Sequence, residues 1–456
     1  MNPRTILFIH QNFPGQFKTL ARELAAEGHR VFALALNPME TIPNVTVICY
    51  LPIRTQLDEK APSLLRENDA RLIRGESIYQ AMKGLKKYGV RPEVVYAHPG
   101  WGEALFVKDV WPETRLVVYA EWYYNLYGQE VNFDPAMPAL SEEQQLRLRL
   151  KNTCFLHALN DCDAAITPTE WQKSRFPRWA QEKITVIHEG LNLQELAAVK
   201  PRSLSIPKQN LRLTRAIPIV TYAARYLEPV RGFHYFMRAL PAILAANKEA
   251  HVIVMGRDAG VVGLGYNSMN PKGVSWRQTM QTELNEKVDW KRVHFLGMLD
   301  RKLYLAMLKL SSCHVYLTTP FILSWSFLEA AALGLPIVAS DTAPVQEFSS
   351  LRGLDLVAFS DVDAIASHVL QHLHSADQNT LADNTDILAP LDVKSTIPAI
   401  QTVLLKETVA HDLGEEIEEL TFDTSHSDLK KDKTQHTEGK ITEYINERDA
   451  AFKEYM

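Results

Sequence analysis

Residues 320–347, PFILSWSFLEAAALGLPIVASDTAPVQE, decide how this chain is read. The apolar run CHVYLTT (313–319) leads into them as a strand, and a Pro/Ser loop follows. A helix then opens near Ser324–Ser326 and closes at Gly334, and PIVAS (336–340) reads as a second buried strand. Such a unit points a helix N-terminus at the carboxyl end of a parallel sheet. The first turn of that helix has unpaired amides and the positive end of the dipole, so it attracts phosphate. Glu329 lies one turn further in, where a carboxylate can accept hydrogen bonds from a sugar diol. An anion site beside a diol acceptor suggests a nucleotide-sugar pocket.

Outward from this unit, the chain reads as two successive α/β halves. In the first, residues 4–10 form an apolar strand, and HQNFPGQF turns into a helix with Phe17, Leu20, Ala21 and Leu24 on one face. Gly28 ends that helix and VFALALN (31–37) is the next strand. Further strand-like runs lie at 93–97, 115–120, 164–168 and 184–188. The second half restarts at IPIVTYAAR (217–225) and continues with HVIVMGR, VHFLGM, CHVYLTT, PIVAS and LDLVAF. Buried strands alternating with helices predict two Rossmann-like domains facing a cleft. The expected boundaries are an N-terminal acceptor-side domain over 1–200, a polar linker over 201–214, a nucleotide-sugar domain over 215–400 and a charged tail over 401–456.

Composition narrows the class. At 456 residues the chain exceeds a single core, and 46% hydrophobic residues with a formal charge of −5 argue against a polyanion binder, so no nucleic-acid partner is expected. No apolar run approaches membrane-spanning length, and MNPRTILFIHQNF lacks a signal-peptide pattern, so a cytoplasmic location is expected. Cys49, Cys154, Cys162 and Cys313 have no metal-ligand spacing and read as buried free thiols. Lys83, Lys86, Lys87 and Arg91 form a basic cluster that reads first as a solvated face, with peripheral contact at the inner membrane face as the alternative. The tail is a solvated or disordered arm that leaves room for a protein partner. MGRDAGVVGLG has glycines at 256, 260, 263 and 265, a spacing that does not fit the dinucleotide fingerprint.

Across about residues 4–400 the sequence resembles the retaining glycosyltransferase family four, enzymes of GT-B fold. HQNFPGQF, HPGWGE (98–103), RYLEPVRGFHYFMRALP, VHFLGMLD and residues 320–347 carry the resemblance, in the order and spacing of one subgroup. It implies GT-B architecture and sugar transfer from a nucleotide-sugar donor to an acceptor hydroxyl. The acceptor is left open among glycan, lipid-linked, protein and small-molecule classes. No cofactor or metal is expected, because positive side chains and helix amides should stabilise the leaving diphosphate.

The residues support the same chemistry. Arg225 ends a strand and Arg231 follows in a Pro229/Gly232 turn, so both could reach a diphosphate at the strand ends. Ser324, Trp325 and Ser326 offer hydroxyls and an aromatic face to the donor, and Glu329 matches the family glutamate that binds ribose. Glu347, after a Pro344 turn, and Gly15, after His10, Gln11 and Asn12, complete the donor set. The family's first glutamate, eight positions before Glu329, is here Phe321. On the acceptor side the resemblance places His98 in the active cleft, beside Gly100 and Gly102, with Trp101, Glu103 and Glu121 as further contacts. The catalytic set is therefore His98, Arg225, Arg231 and Glu329. The alternatives are a non-catalytic nucleotide-sugar sensor or subunit, motivated by Phe321 and the tail, and, more weakly, a nucleotide-sugar epimerase.

Overall fold

The computed structural model describes residues 2–56, 60, 62–206, 211–258, 273–374 and 381–406; the charged tail beyond 406 and the glycines at 260, 263 and 265 lie outside them. Two parallel sheets dominate. The first contains β1 (Thr5–Ile9), β2 (Arg30–Ala35), β3 (Val45–Cys49), β4 (Val94–Ala97), β5 (Arg115–Tyr119), β6 (Ala164–Thr167) and β7 (Ile184–Val186), in the order β3-β2-β1-β4-β5-β6-β7. A short antiparallel hairpin, β8 (Leu204–Ile206) and β9 (Leu211–Leu213), follows. The second sheet contains β10 (Ile219–Leu227), β11 (His251–Asp258), β12 (Val293–Gly297), β13 (Cys313–Tyr316), β14 (Ile337–Ser340) and β15 (Leu354–Val357), in the order β12-β11-β10-β13-β14-β15. Strand order reverses direction between β1 and β4 and between β10 and β13, which opens a crevice at the carboxyl ends of each sheet.

The continuous apolar character of the strands follows from burial on both faces: β4 and β5 are buried throughout, as are β13 and β14. Apolar side chains on the two faces of each sheet form separate cores with the covering helices. All four cysteines are buried free thiols. Among the described residues no helix is long and apolar enough to cross a membrane.

Two segments depart from the expected division. Within the 201–214 linker, alternating Leu204/Ile206 and Leu211/Leu213 pair as the hairpin, and Ile206 and Leu213 pack into the core of the second domain. The helix Val393–Leu405, expected partly at the end of that domain and partly in the tail, instead returns to the first sheet. Its Ile397, Ile400 and Leu404 pack with Ile6, Phe8 and Phe17. Two arginines at strand starts fix its end: Arg115, the first residue of β5, donates to the Val403 carbonyl at 3.0 and 3.1 Å, and Arg4, just before β1, to that of Leu405 at 3.0 Å. A helix C-terminus presents unpaired carbonyls and negative dipole, so cations settle there.

The domains meet through specific contacts. Phe321 packs with Trp122, Trp171 and Val230, with its ring centroid 4.8 Å from that of Trp122. Asp134 accepts from the Tyr235 hydroxyl at 2.8 Å and lies 3.0 Å from His234 Nε2, while Phe133 meets Phe359 edge-on.

Candidate active site

A cavity of about 280 Å³ opens at the carboxyl ends of β10, β11 and β12, against the helix Trp325–Ala332. Ala223–Arg225, Met255–Gly256, Gly297–Leu299 and the first turn of that helix line it. Gly256 has φ +151°, and a Cβ there would sit 2.4 Å from the Ala224 carbonyl oxygen, so only glycine lets β11 run this close to β10. Ser324 occupies the N-cap with its amide donating to the Tyr316 hydroxyl at 2.8 Å, and Ser324 and Ser326 share a 3.1 Å hydroxyl contact. The helix therefore offers its positive end to the cavity.

Arg225 lies exposed at the rim, its guanidinium 5.8 Å from the Tyr226 ring centroid, and it makes no ion pair among the described residues. Glu329 lies at the floor, 3% exposed. Arg301 donates to its Oε1 at 2.7 Å and the Tyr304 hydroxyl to its Oε2 at 2.9 Å. Burial pushes the Glu329 carboxyl above the usual range, while Arg301 and Tyr304 act against that shift. Arg301 also grips Glu195 of the first domain in a two-bond fork at 2.9 and 3.0 Å. Arg225, Ser324, Trp325, Ser326 and Glu329 are thus brought together.

Two expected donor-site residues of the second domain are placed elsewhere. Arg231 does not line the cavity: it is buried, Nη1 donates to Thr318 Oγ1 at 2.9 Å and to the Tyr316 hydroxyl at 3.2 Å, and its guanidinium covers the Phe321 ring. Glu347 accepts from the amides of Glu170 and Trp171 at 2.9 and 2.8 Å, capping the first-domain helix Glu170–Arg175. Its charge is drawn there because those amides are unpaired within the helix. Phe321 sits among the interdomain tryptophans.

In the first domain three groups stand just beyond the ends of adjacent strands: His10 after β1, His98 after β4 and Glu121 after β5. His98 stacks on Trp101 with ring centroids 4.3 Å apart. Its Nδ1 accepts from the Gly100 amide at 3.2 Å and its Nε2 meets Glu121 Oε2 at 3.1 Å. His10 is held by the Asn12 amide and by Gln16, both at 3.0 Å, and burial, with His98 beside it, brings its pKa down to about 3. Gly15 packs on that ring: a Cβ there would lie 2.7 Å from His10 Cε1. Gly15 thus shapes the histidine loop. Glu103 does not face the cleft; it is fully buried beneath Tyr50, whose hydroxyl donates to it at 2.8 Å, and burial raises its pKa. The basic cluster is partly tied to backbone, Lys86 to the Val110 carbonyl and Arg91 to that of Lys86, both at 2.5 Å.

Sequence reasoning missed Arg301, Tyr304, Gln16 and Gln172. Asp300 caps the helix that carries Arg301 and Tyr304, so LDRKLY held a helix-start signal at a strand exit. Gln16 and Gln172 had none, being significant only through their contacts with Glu121.

A two-domain fold with a cleft site at parallel-strand ends defines the GT-B class of sugar-transferring proteins. Residues 27–196 match the family described as Glycosyl transferase family 4 group, and residues 217–375 the one described as Glycosyl transferases group 1. Together the matches cover more than half of the chain, which belongs to these glycosyltransferases and moves a sugar from a nucleotide-sugar donor. No significant match is found among curated proteins. Among solved structures, a sucrose-phosphate synthase from Thermosynechococcus elongatus is similar, with 19% identity and TM-score 0.62 over 88% of this chain and 98% of that one. An alpha,alpha-trehalose-phosphate synthase (UDP-forming) from Burkholderia vietnamiensis has 14% identity and TM-score 0.60 over 89% and 100%. A putative UDP-N-acetylglucosamine 2-epimerase from Listeria monocytogenes has 13% identity and TM-score 0.53 over 89% and 98%. At these identities the likeness is one of fold.

Proposed function

We propose that the second-domain cavity holds the nucleotide sugar, with its diphosphate between Arg225 and the first turn of the helix Trp325–Ala332 and its ribose hydroxyls on Glu329. The observation that carries this reading is the pairing, in one cavity, of an exposed cation and a helix N-terminus with a buried carboxylate. The acceptor hydroxyl lies on the first-domain side, beside His98 and Glu121. Glu121 is joined to the cleft wall through Gln172, whose side-chain amide donates to its carbonyl at 2.6 Å. Gln172 in turn lines a narrow interdomain crevice with Ser324 and Trp325. Retention follows from same-face attack: the acceptor oxygen bonds the anomeric carbon as the carbon–phosphate oxygen bond breaks, and the leaving phosphate takes the acceptor's proton. Arg225 and the helix amides stabilise the growing phosphate charge without a divalent ion. The UDP-forming neighbour makes UDP-sugars the first donors to try.

Thermal unfolding measured against a panel of UDP-, GDP- and ADP-sugars should show one clear stabiliser, since a ligand that binds only the folded state raises stability by mass action. Arg225→Ala should weaken that binding by about tenfold, the worth of a charge-assisted bond to phosphate, and turnover should survive EDTA. Unchanged affinity in the variant would remove the diphosphate assignment.

A further inference from the structure

The hydrogen bonds around Glu121 have directions that can be read without ambiguity, because each chain of donors begins at a backbone amide. The Gly100 N–H points at His98 Nδ1, so that nitrogen carries no proton, and the ring's hydrogen is on Nε2, aimed at Glu121 Oε2. On the other side the Asn12 N–H points at His10 Nδ1, so His10 donates through Nε2 to Gln16 Oε1. That fixes the Gln16 amide: its nitrogen donates to Glu121 Oε1 at 2.6 Å. Both chains converge on one carboxylate. Gln172 pins the backbone of the same residue.

Exposure divides the roles. The His98 side chain is 3% exposed and that of Glu121 20%. Both His98 nitrogens are occupied and one ring face is covered by Trp101, whereas each Glu121 oxygen accepts one bond and keeps a lone pair. Burial alone would push the Glu121 carboxyl up, but the hydrogen bonds from His98 and Gln16 bring it below the usual range. It therefore stays an acceptor. We infer that Glu121 is the first-domain group that touches the acceptor, receiving a hydrogen bond from a hydroxyl next to the attacking one, so that the attacking oxygen turns a lone pair toward the anomeric carbon and its own hydrogen toward the leaving phosphate. His98, Gln16 and His10 are positioning residues that act through it. The proton still departs with the leaving phosphate, so Glu121 orients and is not itself consumed.

This assignment rests on the glycosyl-transfer reading above, and one experiment separates the two. With UDP-glucose as donor, or whichever nucleotide sugar stabilises the protein, transfer to glucose, glucose 6-phosphate and octyl glucoside is measured beside donor hydrolysis by water. Glu121→Gln should lower kcat for transfer by about a hundredfold, the scale of a positioned polar group, and raise the acceptor KM. Donor KM and donor hydrolysis should stay within about twofold. His98→Gln, whose amide can accept from Gly100 and donate to Glu121, should retain activity within about tenfold of wild type, and His98→Ala should fall below it. ¹⁵N NMR of the histidine rings should show His98 protonated at Nε2. The assignment is overturned if His98→Gln is more damaging than Glu121→Gln, if Glu121→Gln transfers normally, or if the His98 proton lies on Nδ1. A wild type that turns over no nucleotide sugar overturns the transfer reading itself, and this assignment with it.

Discussion

Single residues here are defined less by type than by what surrounds them. Arg225 and Arg231 are six positions apart, yet one is an exposed cation at the cavity rim and the other is buried against Tyr316, Thr318 and Phe321. Arg231→Ala should therefore lower unfolding free energy by about 2 kcal/mol, in the range for loss of a buried hydrogen-bonded group, as read by urea denaturation. An unaltered midpoint would contradict a structural role. Buried histidines set the response to acid. Burial brings His10 and His314 down to about 3, while an unfolded histidine titrates near 6.5. Between those values the unfolded chain holds protons that the native state does not, so stability rises with pH and is lost as pH falls from about 6.5 toward 3. Each such group contributes a slope of about 1.4 kcal/mol per pH unit. In denaturation series from pH 7 to 4, His314→Asn should flatten the curve by one proton's slope.

Among elements, the short helix Glu170–Arg175 shows how one domain organises the other. Its own cap is Thr169, which accepts from the Gln172 amide, and Glu347 of the second domain covers the two preceding amides. Glu347→Ala should cost about 1–2 kcal/mol, the usual loss for a helix N-terminal partner. Because this helix carries Trp171 and Gln172, the same variant should slow transfer while leaving donor affinity within about twofold. Calorimetry with donor titration reads both, and a large loss of donor affinity would return Glu347 to the donor site.

For the whole molecule, the decisive contact is the aromatic clasp of Phe321 with Trp122 and Trp171. A carboxylate at position 321 would face the sugar in the resembled family; here the ring joins the domains instead. Phe321→Ala should cost about 3 kcal/mol, as for other buried phenylalanines. It should also shift tryptophan emission to the red and enlarge the radius of gyration in solution scattering. A variant with unchanged scattering would show that the clasp does not hold the domains together. Phe321→Glu should open the clasp likewise, so any change in sugar preference has to be read against looser domains.

The paired α/β halves were legible in the sequence because strands of a parallel sheet buried on both faces are mostly apolar, and runs such as VVYA and LVVY are. The cavity was legible for a related reason: Arg225, Ser324–Ser326 and Glu329 lie at strand exits or in a helix's first turns, where local chain geometry already fixes direction. Sequence could not assign the helix Val393–Leu405 to the first sheet, since its apolar face fits either core and only its docking beside Arg4 and Arg115 selects one. Nor could it tell that Glu347 and Phe321 would join domains while Glu121 gathered His98 and Gln16. Those roles depend on partners more than 20 residues away. Local pattern determines which elements form and which face they bury; tertiary structure alone decides which charge meets which donor, because that energy exists only once distant strands share an edge.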